Sequence, residues 1–375
     1  MALRRALLPA ATIVAVLWAL MTAASAAPAS DRRDVFTVAA VHVDVTAGDA
    51  NAAREQARRD GERLAYGMLL DRLTRAADRD RLPGASDALL NTLIGSFEVA
   101  SERRSSVRYI ADYTYHFRPD AVRRLLNQAS VPFAETPSKP VVALAVLDAP
   151  SGPLLWEDPN PWREAWAARP LPQGLVSLIV PLAGLEDIAA IDAAAAEQGD
   201  ATRLQAISQR YGGADVLVSR ATLQTVADPH SASVSSTRYT PGAGENEQTW
   251  IGSYTAQSGE SDGALLARAV AGTVAQVEEA WKIANMVDYG HGGTLAVTVP
   301  VSDLQSWIAI RDRLAGIAVI QSSELVSLDR KAARLSLRYL GDPAQLRLAL
   351  AQHDLDLSGE DPNWVLARRG AADAQ

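Results

Sequence analysis

Apolar and polar residues alternate with period two over residues 35–45 and again over 107–117, and each stretch predicts a half-buried strand. In the second stretch Val107, Tyr109, Ala111, Tyr113, Tyr115 and Phe117 share one face. Between the two the period lengthens. Ala53, Ala57, Leu64, Met68 and Leu73 make the stripe of a helix that Asp49 or Asn51 caps and that runs to about Ala77. Pro83-Gly84 breaks the chain, Ser86 starts a short helix, and another helix follows Asp120. Strand, helices, strand and helix predict a small α+β domain over residues 34–130.

Residues 131–140 hold Pro132, Pro137 and Pro140 and read as a linker. Beyond it, 141–147 and 175–180 are continuous apolar runs, the pattern of strands covered on both faces. A helix over 201–211, a Gly212-Gly213 stop and a strand over 214–223 complete a strand–helix–strand order. This predicts a central α/β layer spanning 141–288. Within it, the Ser-, Gly- and Thr-rich residues 228–248 read as a mobile loop or hairpin tip. A strand over 249–257 and a long helix from Asp262 to about Met286 follow.

Gly290-His291-Gly292-Gly293 reads as a joint, and a third domain is expected over 293–368. Its elements are a strand at 294–299, a helix capped by Ser302, strands at 317–326 and 332–340, and a helix from Asp342. A last strand comes from 355–357 or 364–366. That order is the split βαβ of ferredoxin-like domains. The expected whole is an α+β chain of three small domains.

The N-terminus carries an address. Arg4 and Arg5 precede an apolar run over 6–20, broken by Pro9 and Thr12, and the small residues Ala24-Ser25-Ala26 follow. This is the layout of a signal peptide over 1–26, cut before Ala27. The run is shorter than the ~20 apolar residues that a membrane span needs. No later stretch is longer, so a periplasmic protein with no membrane span after cleavage is expected.

Composition narrows the chemistry. A formal charge of −8 over 375 residues argues against a nucleic-acid partner, which needs a basic face. With no cysteine there is no disulfide, zinc–thiolate site, iron–sulfur cluster or thiol nucleophile. His42, His116, His230, His291 and His353 have no i, i+4 pair of the kind that holds zinc on a helix. Asp354-Leu355-Asp356-Leu357-Ser358-Gly359 opens like a calcium loop, but Asp361 and Val365 stand where an apolar residue and a closing glutamate belong. Gly242-Ala243-Gly244 lacks the third glycine of a dinucleotide cradle. Neither Gly-x-Ser-x-Gly nor Ser-x-x-Lys occurs. No cofactor, metal or catalytic residue is predicted, and any hydrolase site would have to be assembled from distant residues.

One cluster suggests a ligand. Trp156, Trp162 and Trp166 lie in a proline-rich stretch. Exposed together, they would stack on the sugar rings of a glycan or on a partner's proline helix. Buried, they would cover the α/β layer beside residues 141–147.

Further residues carry a family likeness. They are Pro300-Val301-Ser302-Asp303-Leu304-Gln305-Ser306-Trp307, Arg313-Leu314, Leu337-Arg338-Tyr339-Leu340-Gly341-Asp342 and Gln345-Leu346. Phe36-Thr37-Val38, Val43-Asp44-Val45 and Leu69-Leu70-Asp71-Arg72-Leu73 add to them. With these the chain resembles domain-of-unknown-function family 2066, a set of exported proteobacterial proteins. The resemblance implies an envelope location and carries over no catalytic residues. The leading expectation is a non-catalytic binding or scaffolding protein of the bacterial cell envelope with an envelope protein as partner. The alternatives are a periplasmic hydrolase and a glycan-binding module built on the three tryptophans.

Overall fold

The structure is a computed structural model that describes residues 34–170, 173–213, 215–226, 228–241, 247–286, 292–317, 319–329 and 331–369. The signal segment 1–26, Gly242-Ala243-Gly244 and His291 lie outside these residues. Helices combine with antiparallel and mixed sheets, so the fold class is α+β. The described residues form three sheets, and those from Val35 onward belong to one unit.

The first sheet has the order β1 (Thr37–Thr46), β3 (Arg108–Phe117), β2 (Ile94–Arg104), all antiparallel. Helix α1 (Ala50–Leu73), capped by Asp49, lies across it; α2 (Asp87–Leu93) precedes β2 and α3 (Pro119–Gln128) follows β3. The buried row of α1 is Ala53, Ala57, Gly61, Ala65, Leu69 and Leu73, an i, i+4 series. Leu64 falls off that row and is half exposed, contrary to the expected stripe. Small residues let α1 approach the sheet closely. A Cβ on Gly61 would come within 2.5 Å of the Tyr115 hydroxyl. β2 leaves no signal in the sequence, because all but its first residue are exposed and no alternation betrays it.

The predicted linker is a buried strap. Phe133 and Ala134 are fully buried, and Glu135 and Thr136 nearly so. Glu135 accepts from Arg123 at 2.9 Å, and the carbonyl of Thr136 accepts from Trp281 Nε1 at 2.8 Å. Its prolines mark an extended path across other elements, where they cost no ladder hydrogen bond.

The second sheet is built on β4 (Val141–Ala149), whose first seven residues are all buried. Next come β5 (Gly152–Leu154), α4 (Pro161–Ala168) and β6 (Leu178–Ile179), then α5 (Leu185–Ala190), α6 (Ala193–Gln198) and α7 (Ala201–Arg210). They are followed by β7 (Asp215–Gln224), β8 (Ser231–Tyr239), β9 (Gln248–Thr255) and α8 (Asp262–Asn285). The order is β5-β4-β7-β8-β9, with β6 also on β4; β4 is parallel to β6 and β7, and β7-β8-β9 is an antiparallel meander. Odd residues of β4 pack with α4 and α8, and even ones with α5–α7, which explains its unbroken apolar run. Two expectations are corrected. The run at 175–180 forms only the two-residue β6, and the expected loop at 228–248 contains the nine-residue strand β8. Six of the nine residues of β8 are Ser or Thr or carry charge, so composition hid a strand that the β7 edge organises.

The third sheet follows β10 (Gly292–Pro300), α9 (Leu304–Ala315), β11 (Ile320–Leu328), β12 (Ala332–Leu340), α10 (Pro343–Gln352), β13 (Leu355–Ser358) and β14 (Trp364–Arg368). Asp303, not Ser302, caps α9 and forms a capping box with Ser306. The order is β11-β12-β10-β14-β13. Both candidate last strands form. β14 takes the place beside β10 expected for the final strand of a split βαβ, but runs parallel to it, because β13 first makes an antiparallel hairpin with β14 at the edge.

Candidate functional site

The tryptophans do not form a surface. Trp162 and Trp166 are fully buried between α4 and the second sheet, with their rings edge to face at 6.0 Å. Trp162 donates its indole N–H to the carbonyl of Ser219 at 2.8 Å. Trp156 packs against the opposite core, and its indole N–H goes to the carbonyl of Ile191 at 2.7 Å. These three tryptophans therefore share no exposed platform on which a sugar ring could stack. The cause is local: Asn160 caps α4 and Pro161 opens it, so Trp162 and Trp166 fall at i, i+4 on the helix face turned to the sheet.

The histidines also have structural partners. His42 meets Asp112 at 2.7 Å, and His230 meets Asp262 at the start of α8 at 2.7 Å. His116 bonds Thr37 at 2.9 Å and His353 bonds the carbonyl of Ala349 at 3.1 Å. Among the described residues no three His, Asp or Glu side chains gather where they could hold a metal ion. Leu355 and Leu357, within the calcium-loop look-alike, are an inward strand face.

An open cleft of about 870 Å³ lies where β8, α8 and α10 meet. Arg238 lies in its wall, 5.2 Å over the Trp281 ring, and donates from Nε to Asp215 at 2.8 Å. Lys139 pairs with Asp354 across another wall. Arg369 is the wall cation without a side-chain partner among the described residues. The lining is thus polar, with two of its three cations already paired to carboxylates.

A more chemical pair lies at the carboxyl ends of the parallel strands β4 and β7, where open α/β sheets tend to bind ligands. Asp148 accepts from Arg220 Nε at 2.7 Å and from the Thr222 hydroxyl at 2.6 Å, and Glu197 at the end of α6 lies 3.1 Å from Arg220. Burial pushes Asp148 up, but the bonds from Arg220 and Thr222 outweigh it and hold the carboxyl below its ordinary value. Burial, with Asp148 as neighbour, raises Glu197 despite the Arg220 charge. Carboxylates driven apart in this way are an acid–base pattern. Here, however, both oxygens of Asp148 are occupied, and neither carboxylate lines the cleft. The pair reads as an ion network closing the sheet end. Its members are far apart in sequence, so no motif could have announced it.

What remains are uncovered edges. Among the described residues β2 pairs only with β3, and ten of its eleven residues are exposed. Phe97 and Val99 lie opposite Tyr115 and Tyr113 on the core side, yet stay 43% and 41% exposed. Among the described residues β11 pairs only with β12, and it exposes Leu325, Val326 and Leu328, Val326 at 68%. No described helix is long and apolar enough to cross a membrane.

No family model and no curated protein matches the chain. Among solved structures, the crystal structure of lipoprotein GNA1162 from Neisseria meningitidis is 20% identical over a match covering 37% of this chain and 96% of that one, with a TM-score of 0.26. An overlap of that size carries no inference about this chain.

Proposed function

We propose that the protein is a non-catalytic binding or scaffolding protein of the bacterial cell envelope, exported by its N-terminal segment, which holds a partner by strand addition at β11. The observation that carries this reading is the edge itself. β11 offers nine residues whose outer side has no strand partner among the described residues, three exposed large apolar side chains and a single charge, Glu324. Unpaired backbone beside apolar side chains is the usual receptor for an extended segment. Helix α9, which packs beside β11, also exposes Leu304 and Ile308. The fitting partner is an extended apolar segment of another envelope protein, with no acidic side chain opposite Glu324. Export is supported by the charged start, apolar run and Ala24-Ser25-Ala26 site, and by the resemblance to family 2066.

The test is a photoreactive side chain placed at Val326 of the full chain in living cells. It should trap one discrete envelope protein on a chain whose mature end is Ala27, and Leu325→Lys with Leu328→Lys should abolish the product. A crosslink indifferent to the lysines, or uncut chain accumulating in the cytosol, would overturn the proposal.

A further inference from the structure

The second exposed edge has a different character from β11. Its outer face carries Glu98, opposite Thr114, and Arg103, opposite Ile110; its core-side face carries Phe97, Val99, Glu102 and Arg104. Glu98 is 74% exposed on its side chain and, among the described residues, meets His116 at 3.5 Å. The guanidinium groups of Arg103 and Arg104 make no hydrogen bond or ion pair among the described residues, although the Arg103 charge acts on Asp112. The edge is thus acidic toward one end and basic at the other, with apolar side chains in the acidic half.

We infer that β2 pairs with β2 of a second copy of this chain, antiparallel about a two-fold axis near Ala100 and Ser101. A two-fold axis normal to the sheet keeps outer face with outer face, and a slip of one residue would mix them. One register that keeps the faces matched sets Glu98 of each copy against Arg103 of the other. The same register sets Phe97 against Arg104 and Val99 against Glu102. Each dimer then gains two outer ion pairs and two arginines over half-exposed Phe97 rings, whose other side already packs on Tyr113 and Tyr115 at 5.8 Å. Two three-stranded sheets become one of six strands, and the unpaired outer backbone of β2 finds donors and acceptors. The bulge between Val99 and Ser101 falls at the axis, where the two copies diverge symmetrically. This pairing leaves β11 free. Failure here would not touch the proposal for β11, nor would failure there touch this one.

Sedimentation equilibrium on the full chain, with Glu98→Arg, Arg103→Glu and the double reversal, tests the inference. Each single reversal replaces two attractive pairs by two repulsive ones and should weaken dimerisation about tenfold or more, and the double reversal should restore it. All four positions of the charge pairs are exposed, so the fold should survive, as circular dichroism would show. The absence of native cysteine permits a second readout. Glu98→Cys protein mixed with Arg103→Cys protein should form an interchain disulfide on oxidation. Glu98→Cys alone should not, because like positions would stand roughly 17 Å apart. A monomer at every concentration, single reversals without effect, or Glu98→Cys crosslinking to itself would overturn the inference.

Discussion

Trp162 has its one polar atom satisfied by the Ser219 carbonyl, and its ring wedged between Trp166 and the sheet. Removing it would leave a cavity that the close-packed layer cannot fill. Trp162→Ala should therefore cost about 3–5 kcal/mol of stability, read from the denaturation midpoint. Binding of the folded variant to cell-wall glycan should match that of the wild type; selective loss of glycan binding in a fully stable variant would contradict the burial. The sequence held a signal for this arrangement. Asn160-Pro161 is a cap followed by the first helical position, and an aromatic pair at i, i+4 behind it points to a core face. Proline density masked that signal. Arg72 stands among the mixed charges Asp71, Arg75 and Asp78, a pattern that suits a solvated helix end, yet it is buried and donates to the carbonyls of Val35 and Thr37 at 2.6 and 2.8 Å.

At the scale of elements, α8 and the segment before β6 are joined by Glu278, whose carboxylate accepts from the backbone N–H groups of Leu175 and Val176 at 3.0 and 2.9 Å. Gly174 is required there, since a Cβ would meet the carboxylate at 2.1 Å. Burial lifts the Glu278 carboxyl above its ordinary 4.5, and the two N–H bonds with the Lys282 and Arg72 charges offset only part of this. The folded state then holds this proton more tightly than the unfolded chain. The stability that follows is full below the ordinary glutamate range and is lost as pH rises through the raised value. Glu278→Gln removes that loss, so its melting temperature should gain on the wild type as pH climbs from about 4 to about 7. A difference between the two proteins that does not vary with pH would refute the account. Elements whose periodicity reports one covered face, such as β3, were legible from sequence. β2 and β8 were not, because a strand exposed or polar on both faces has no alternation to display.

For the whole molecule, the first and second sheets are tied together by side chains from α8. Lys282 donates to the carbonyls of Thr74 at 2.7 Å and Asp71 at 3.1 Å beyond and within the end of α1, while Trp281 holds the strap at Thr136. These acceptors are buried or partly buried, and stranding them costs roughly 1–3 kcal/mol. Lys282→Ala should lower stability by that order and speed hydrogen exchange both at the end of α1 and along residues 131–140. Exchange confined to α8 would show that the elements are not coupled through this lysine.

Local pattern settled the α+β class and the position of most helices and single-faced strands, since burial on one side imprints a period of 2 or 3.6 on any chain. It also supplied the caps at Asp49, Ser86 and Asp342, because capping is a contact between near neighbours. Contacts between remote residues leave no such imprint. Burial of the proline-rich strap, opposite destinations for Trp156 and Trp162, the parallel insertion of β14, and the uncovered state of β2 and β11 all depend on which surfaces meet after the chain has folded back on itself.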